Sequence, residues 1–191
     1  MIAGIVLAAG RGTRFGGTKV LAGLRGTPVV RHVVARLREA GLAPLVVVVG
    51  AERDEIAAAL DGAGVEVVIN PNPDAGLSAS LRLGVDALPD YVGAFVVALG
   101  DQPLIDPDVV RRLAEAWNQS NAAAVVPVYR DGRGNPVLFD ATLRRRMAGL
   151  TGDAGARELL EQLGDRLGRV SVDADAPRDI DTRADLEALQ G

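Results

Sequence analysis

Ile5-Val6-Leu7-Ala8-Ala9-Gly10-Arg11-Gly12-Thr13-Arg14-Phe15-Gly16-Gly17-Thr18-Lys19 is the stretch on which the reading of this chain turns. It opens as an apolar strand and then breaks into a loop with four glycines, two arginines, two threonines and a lysine. Glycine lets a backbone reach positive φ and come close to a ligand. The N–H groups of such a loop can converge on an anion. The interspersed cations add charge suited to a polyphosphate. A flexible basic surface loop is the plain alternative. Two familiar phosphate motifs do not fit. In the dinucleotide fingerprint the third glycine would stand one place earlier than Gly16, and a helix would open at once. Here position 15 is Phe, and the next good helix start is Pro28. Thr18-Lys19 lacks the Gly-Lys-Ser/Thr order of a P-loop.

The rest of the composition narrows the class. A chain of 191 residues with 48% hydrophobic content is expected to form one domain, residues 1–191, around one core. A net charge of −4 argues against a binder of nucleic acid or anionic membrane. There is no cysteine and a single histidine, His32, which excludes a thiolate nucleophile, a Cys-ligated zinc and a His-rich metal site. No signal-like segment opens the chain, and no apolar run approaches membrane length. The expectation is a soluble cytoplasmic protein.

Strand-like and helix-like runs alternate, and the pattern predicts a three-layer α/β/α sandwich, Rossmann-like, with a mostly parallel sheet. Strands are expected at residues 2–7, 45–49, 65–69, 93–99, 122–129, 136–139 and 169–172. The run 45–49 is unbroken and apolar, as for a strand covered on both faces. Residues 28–40 predict a helix with Thr27 as its cap and Pro28 in first position, ended by Gly41. Its stripe is Val29, Val30, Val33, Val34 and Leu37, and His32 falls on the polar side as a solvated residue. Further helices are expected at 52–60, from Ser78 as cap to Leu88, at 107–119 capped by Asp106, from Asp140 through an Arg-rich segment, at 155–163, and after the cap Thr182. The returns after Tyr129 predict an antiparallel element.

In open α/β sheets ligands bind at the carboxyl ends of the strands. Asp101 stands there, after the strand ending at Leu99, between Gly100 and Pro103. Mg²⁺ is usually held by one or two carboxylates plus substrate phosphates, and Asp101 is a candidate ligand, since Asp106 already fills the capping role. Asp179-Ile180-Asp181 precedes the last helix, and either carboxylate could complete the site. The plain alternative is an acidic helix N-terminus stabilised by the macrodipole.

Leu7-Ala8-Ala9-Gly10-x-Gly12-Thr13-Arg14-x-Gly16-x-x-Lys19 resembles the signature of small-molecule nucleotidyltransferases with a GT-A-like fold. Gly100-Asp101-Gln102-Pro103 matches their metal-binding aspartate motif. With Gly134-Asn135-Pro136-Val137-Leu138-Phe139, Gly152-Asp153-x-Gly155-Ala156-Arg157-x-Leu159-Leu160 and Asp179-Ile180-Asp181-Thr182, the chain resembles the molybdenum cofactor cytidylyltransferases and their close relatives. The resemblance runs in order over nearly the whole chain. It implies that Leu7, Ala8, Ala9, Gly10, Arg11 and Gly12, with Gly100, hold the nucleotide, and that Gly76, Ser78 and Ser80 line the base and ribose pocket. Arg14 would contact the leaving pyrophosphate and Lys19 the α-phosphate. Asp101, with Asp179 or Asp181, would bind Mg²⁺. Gly134, Asn135, Pro136, Gly152, Asp153 and Arg157 would face a phosphorylated pterin acceptor.

The guanylyltransferase relatives typically carry Ala-Gly-Gly where this chain has Ala8-Ala9-Gly10. The extra methyl at Ala9 narrows the space above the backbone and favours CTP, by about 1–3 kcal/mol at most. The implied reaction is attack of an acceptor phosphate oxygen on the α-phosphorus, with pyrophosphate leaving and no nucleophilic side chain. A molybdoenzyme would receive the product. The rivals are a nucleotidyltransferase using GTP or another acceptor, an NAD(P)-binding oxidoreductase, and a nucleotide-binding regulator without catalysis. The second rival calls for a carboxylate at the end of strand two. Val49-Gly50-Ala51 has none, although Glu52 lies just beyond.

Overall fold

The computed structural model describes residues 1–10, 12–50, 52–152 and 156–190. Its strands are β1 (Ile2–Ala8), β2 (Gly23–Leu24), β3 (Thr27–Pro28), β4 (Leu45–Val49), β5 (Glu66–Ile69), β6 (Ala94–Leu99), β7 (Ala124–Tyr129), β8 (Gly132–Arg133), β9 (Val137–Asp140) and β10 (Leu167–Ser171). Its helices are α1 (Val29–Glu39), α2 (Arg53–Ala59), α3 (Leu77–Asp86), α4 (Pro107–Asn118), α5 (Arg144–Met147), α6 (Arg157–Glu161) and α7 (Arg183–Ala188). The main sheet runs β10-β7-β9-β6-β1-β4-β5, with β8 beside β7. The pairs β1–β4, β1–β6, β4–β5 and β7–β10 are parallel. β9 runs antiparallel between β6 and β7. This is the α/β architecture, mostly parallel with an antiparallel element, that the alternation predicts.

Side chains alternate across each strand, and the sheet therefore feeds two cores. Val6, Val47, Val49 and Val96 meet Val33, Val34 and Leu37 of α1 and Val110 and Leu113 of α4 on one face. Ile5, Leu7, Val46, Val48 and Phe95 meet Leu81 and Val85 of α3 on the other, with Met147 and Leu160. Phe95 stacks on Phe139 across the β6–β9 pair, ring centroids 5.8 Å apart. The helices thus form a layer on each side of the sheet. No helix among the described residues is long and apolar enough to cross a membrane.

Several local expectations need correction. Thr27 does not cap α1. Thr27 and Pro28 pair with Gly23 and Leu24 in a small antiparallel hairpin, and Pro28 itself is the cap residue. The turn between these strands, Arg25-Gly26, has φ of 51° and 78°, and positive φ at both central residues is what a two-residue hairpin favours. His32 is not a solvated residue. It is half-buried, and its Nε2–H donates to the Leu24 carbonyl at 2.9 Å, tying α1 to the hairpin. Ser78 does not cap α3 either. Gly76 takes that place, and Ser78 is buried inside the first turn. α6 is shorter than expected, Arg157–Glu161, and position 155 lies outside the described residues. Asp140 does begin a helical segment. Its carboxylate accepts the Thr142 N–H at 2.9 Å over a 3-10 turn, Ala141–Leu143, that leads into α5. The caps Asp106 and Thr182 stand as expected, the latter in a capping box with Asp185.

Close packing of α3 on the sheet depends on Gly84. A Cβ there would lie 2.6 Å from Cγ2 of Ile5 and 3.1 Å from Cγ2 of Val48, both fully buried residues. Alanine would gain about 1 kcal/mol of helix propensity, while overpacking a core costs roughly 1–3 kcal/mol. The steric cost is expected to win, because neither β-branched side chain can swing aside. Gly84→Ala should lower the urea midpoint without changing the slope of the transition.

Candidate active site

The site grows from the carboxyl ends of β1 and β6, which lie side by side. The Gly100 N–H donates to the Leu7 carbonyl at 2.9 Å. A Cβ at Gly100 would stand 3.0 Å from the Ala8 Cβ and 3.1 Å from the Leu7 carbonyl oxygen. Glycine therefore lets the two strand ends converge, and Asp101 emerges opposite the start of the glycine-rich loop. The loop is anchored from below. Phe15 is buried with Leu24, Val29 and Ile180 in a third small core, and Arg183 lies over the Phe15 ring at 5.3 Å. The Ile180 N–H donates to the Asp101 carbonyl at 3.0 Å. Ile180 is thus the apolar peg that brings Asp181 to the cations of the loop.

At the centre stands Lys19. Its Nζ lies 2.5 Å from Oδ2 of Asp101 and 3.0 Å from Oδ1 of Asp181. The other oxygen of Asp181, Oδ2, is 3.2 Å from Nη1 of Arg14. Burial by itself would lower the Lys19 pKa, but hydrogen bonds and charge from Asp101 and Asp181 outweigh it and hold the pKa above the ordinary lysine value. Asp179 takes a different partner. The buried Gln102 amide donates to its Oδ1 at 2.7 Å. Burial first, and then the neighbouring charges of Asp101 and Asp181, push the Asp179 carboxyl up, with the Gln102 bond and Lys19 acting against the shift. Oε1 of Gln102 is buried with no hydrogen-bond partner among the described residues.

Two adjoining clefts open over this centre. One, of about 320 Å³, is lined by Leu7, Ala8, Ala9, Gly10, Gly76 and Ser80, with Lys19 and Asp101 at its charged end. Ser80 is set by Asn70, whose Nδ2 donates to its Oγ at 2.9 Å. The other cleft, of about 430 Å³, has an apolar floor that includes Val97, Val137 and Phe139, and a polar rim of Arg133, Gly134, Asn135, Arg157 and Glu161. Leu7, Leu77 and Leu99 line both. Tyr129 supports the second cleft from behind, its hydroxyl donating to the Asn135 carbonyl at 2.8 Å. Burial, then the charges of Asp106 and Asp131, push that hydroxyl up to about 12, so it stays a donor across the neutral range.

Most of the candidate residues from the sequence therefore meet at one sheet edge. Others sit apart from the cleft walls. Ser78 is buried, its N–H donating to the Gly152 carbonyl at 3.2 Å and its Oγ unpartnered. Gly12 turns the loop, with its carbonyl accepting from Phe15 and Gly16. Gly100 holds the strand ends together, and Pro136 follows Asn135 through a cis peptide bond. Arg14 is largely exposed at 77% of its side chain, with its Nη1 on Asp181. Arg11 and Asp153 lie outside the described residues. The sequence reading assigned no role to Gln102, Leu77, Arg133, Glu161 or Tyr129. Gln102 sat in plain view within Gly100-Asp101-Gln102-Pro103, and Arg133 sat next to Gly134. Nothing local marked the other three.

The arrangement has the donor set for a hard cation. Asp101 and Asp181 direct carboxylate oxygens to one point, now held by the Lys19 ammonium. No group of three or more His, Cys, Asp or Glu is preassembled for a metal among the described residues. Two carboxylates, completed by substrate oxygens, match the way Mg²⁺ is commonly bound.

Comparison with known proteins then settles the family. The family described as the MobA-like NTP transferase domain matches residues 4–167. The chain belongs to this family. It is a nucleotidyltransferase by that membership. A relative named molybdenum cofactor guanylyltransferase, from Cupriavidus metallidurans, is 38% identical over 135 residues, covering 70% of this chain and 63% of that protein. A relative named nicotine blue oxidoreductase, from Paenarthrobacter nicotinovorans, is 32% identical over 168 residues, covering 84% of this chain and 82% of that protein. Matches to bifunctional GlmU proteins span only 28% and 25% of those longer chains. Among solved structures, Rv0371c from Mycobacterium tuberculosis H37Rv superposes with a TM-score of 0.89 at 32% identity, covering 99% of this chain and 97% of that one. The same protein has also been solved in complex with manganese.

The raised pKa of Asp179 has a consequence for stability. A carboxyl whose folded pKa lies above its unfolded value favours folding fully below the unfolded pKa, and that contribution is lost as pH rises through the folded value. Asp179→Asn keeps an acceptor for Gln102 and removes the charge. It is expected to raise the melting temperature at pH 7, with the gain disappearing as pH falls below the ordinary carboxyl value of about 4, where the unfolded chain is protonated as well. Melting curves of both proteins across this range check it.

Proposed function

We propose that this chain, acting as one domain over residues 1–191, transfers CMP from CTP to the phosphate of molybdopterin or its metal-loaded form and releases pyrophosphate. The observation that carries the proposal is the junction of the two clefts. Lys19 and Asp101 close one end of the first, and the two clefts share the wall Leu7, Leu77 and Leu99. A donor in one and an acceptor in the other would meet beside a lysine and two carboxylates.

In this reading the loop backbone from Ala8 onward cradles the triphosphate, Lys19 neutralises charge at the α-phosphate, and Arg14 stabilises the departing pyrophosphate. The acceptor phosphate is already ionised, so no strong base is needed. Rate enhancement comes from positioning and fixed charge. Arg157 on the rim of the second cleft would hold the acceptor's anionic group. Mg²⁺ is the proposed ion, held by Asp101 and Asp181, and when bound it would neutralise phosphate charge as a hard Lewis acid. The manganese complex of Rv0371c supports a divalent ion for the family. An intracellular nucleoside triphosphate as donor supports a cytoplasmic site of action, with a molybdoenzyme receiving the product.

The base is the finer point. Ala9 lines the first cleft, and its added methyl is read as favouring the smaller pyrimidine. The guanylyltransferase name of the Cupriavidus relative favours GTP instead. The name of the Paenarthrobacter relative raises an oxidoreductase, for which strand β4, ending at Val49 and followed by Gly50, carries no carboxylate at its end for a ribose.

Pyrophosphate release measured across the four nucleoside triphosphates, with molybdopterin as acceptor, tests the proposal. CTP is expected to be used best, and Ala9→Gly to narrow the gap to GTP. A wild-type preference for GTP would transfer the assignment to the guanylyl reading, and no release with any triphosphate would refute both. Lys19→Ala should reduce turnover by roughly 10²–10³-fold, the scale of losing one preorganised charge stabiliser. Arg157→Ala should weaken use of molybdopterin while leaving the CTP dependence in place.

A further inference from the structure

The polar rim of the second cleft mixes two kinds of side chain. Arg133, Arg157 and Glu161 carry charge, and Asn135 carries a neutral amide. Among the described residues the Asn135 side chain has no hydrogen-bond partner. Its main chain, by contrast, is gripped. Tyr129, 6% exposed at the end of β7, donates its hydroxyl hydrogen to the Asn135 carbonyl at 2.8 Å. The ring of the same tyrosine lies against Gly134. A Cβ on Gly134 would stand 3.0 Å from both Cδ2 and Cε2 of that ring, closer than carbon atoms normally pack. The Gly134 N–H adds a bond to the Pro127 carbonyl at 3.3 Å. Tyr129 is itself fixed by the sheet, paired with Gly132 of β8, and the next N–H, that of Arg130, donates to the Ala174 carbonyl at 3.0 Å. One sheet residue thus holds two consecutive rim residues, by its ring and by its hydroxyl.

A primary amide offers a donor and an acceptor side by side. Its complement is a ring edge on which a donor adjoins an acceptor. The aminopyrimidinone edge of a pterin, with its ring N–H beside the oxo oxygen, is such an edge. A guanidinium only donates and a carboxylate only accepts, so the charged members of the rim suit the acceptor's ionic groups and the amide suits its ring. We propose that Asn135 reads the neutral hydrogen-bonding edge of the acceptor's ring, and that Tyr129 is the positioning residue that holds Asn135 to this task. The inference rests on the reading of the second cleft as the acceptor's seat. Ordering a loop residue on binding costs backbone and side-chain freedom. The Tyr129 contacts remove the backbone part of that cost in advance, and only the Asn135 side chain remains to be ordered by the ligand.

The test uses 6-hydroxymethylpterin, which carries the ring without a phosphate. Its binding is followed by pterin fluorescence on wild type, Asn135→Ala, Tyr129→Phe, the double variant and Glu161→Gln. Asn135→Ala is expected to weaken binding about tenfold and Tyr129→Phe about fivefold, within the range of one hydrogen bond. Because Tyr129 acts through Asn135, Tyr129→Phe should weaken binding no further in the Asn135→Ala background. In turnover, both single variants should raise KM for molybdopterin and leave KM for CTP in place. A lowered melting temperature of Tyr129→Phe with unchanged ring binding would make the tyrosine a purely structural residue and overturn its positioning role. Full additivity of the two changes would do the same. Loss of binding in Glu161→Gln with none in Asn135→Ala would move the reading of the ring to α6 and overturn the proposal. Each of these results leaves the cleft as the acceptor's seat. A wild type that binds no pterin ring would remove that reading and the inference together.

Discussion

The ammonium of Lys19, placed between Asp101 and Asp181, is the interaction around which the active edge of this protein is built. Three segments far apart in the chain have to arrive together for it to exist. The β1–β6 pairing brings the glycine-rich loop and Asp101 to one edge. Gly100 permits the close approach of the strand ends. The burial of Ile180 against Phe15, with its N–H on the Asp101 carbonyl, carries the acids of 179–181 across to the loop. A surface ion pair contributes little to stability. This one is mostly buried and bridged, and a half-buried carboxylate without its cation would be costly.

Function in this reading follows from adjacency rather than from any single reactive group. Two clefts meet along Leu7, Leu77 and Leu99. Leu7 and Leu99 stand at the carboxyl ends of neighbouring parallel strands, and Leu77 opens α3 after Gly76. The Ser78 N–H to the Gly152 carbonyl joins the α3 end to the loop before α6, and Tyr129 fixes the Asn135 carbonyl from behind. The wall between the clefts is therefore made of sheet and helix ends rather than of loop tips, which suits a reaction that depends on holding two substrates in line. Family membership makes the chain a nucleotidyltransferase.

The elements most legible in the sequence were those governed by local rules. The unbroken run of β4, the stripe of α1, the Asp106 cap and the Thr182 cap each depend on contacts within a few residues. The readings that failed were decided by distant partners. His32 falls on the polar side of α1 by periodicity, yet the Leu24 carbonyl claims it. Thr27 looks like a cap, but strand pairing with Gly23 and Leu24 takes the segment first. Ser78 has the chemistry of a cap and is instead buried under the Gly152 loop.

By itself, the sequence determined the α/β alternation, the position of the glycine-rich loop after the first strand, and the identity of the charged residues available at strand ends. Periodicity, capping and glycine placement act over one to four residues, and composition reports them directly. Only the tertiary structure decided how the charges are shared. The residues Asp179 and Asp181 are chemically identical and two places apart, yet Gln102 holds one and Lys19 the other. Which carboxylate meets which partner depends on the burial of Ile180 between them and on the convergence of β1 with β6. Those are contacts across more than eighty residues of chain in a shared core, and no local pattern encodes them.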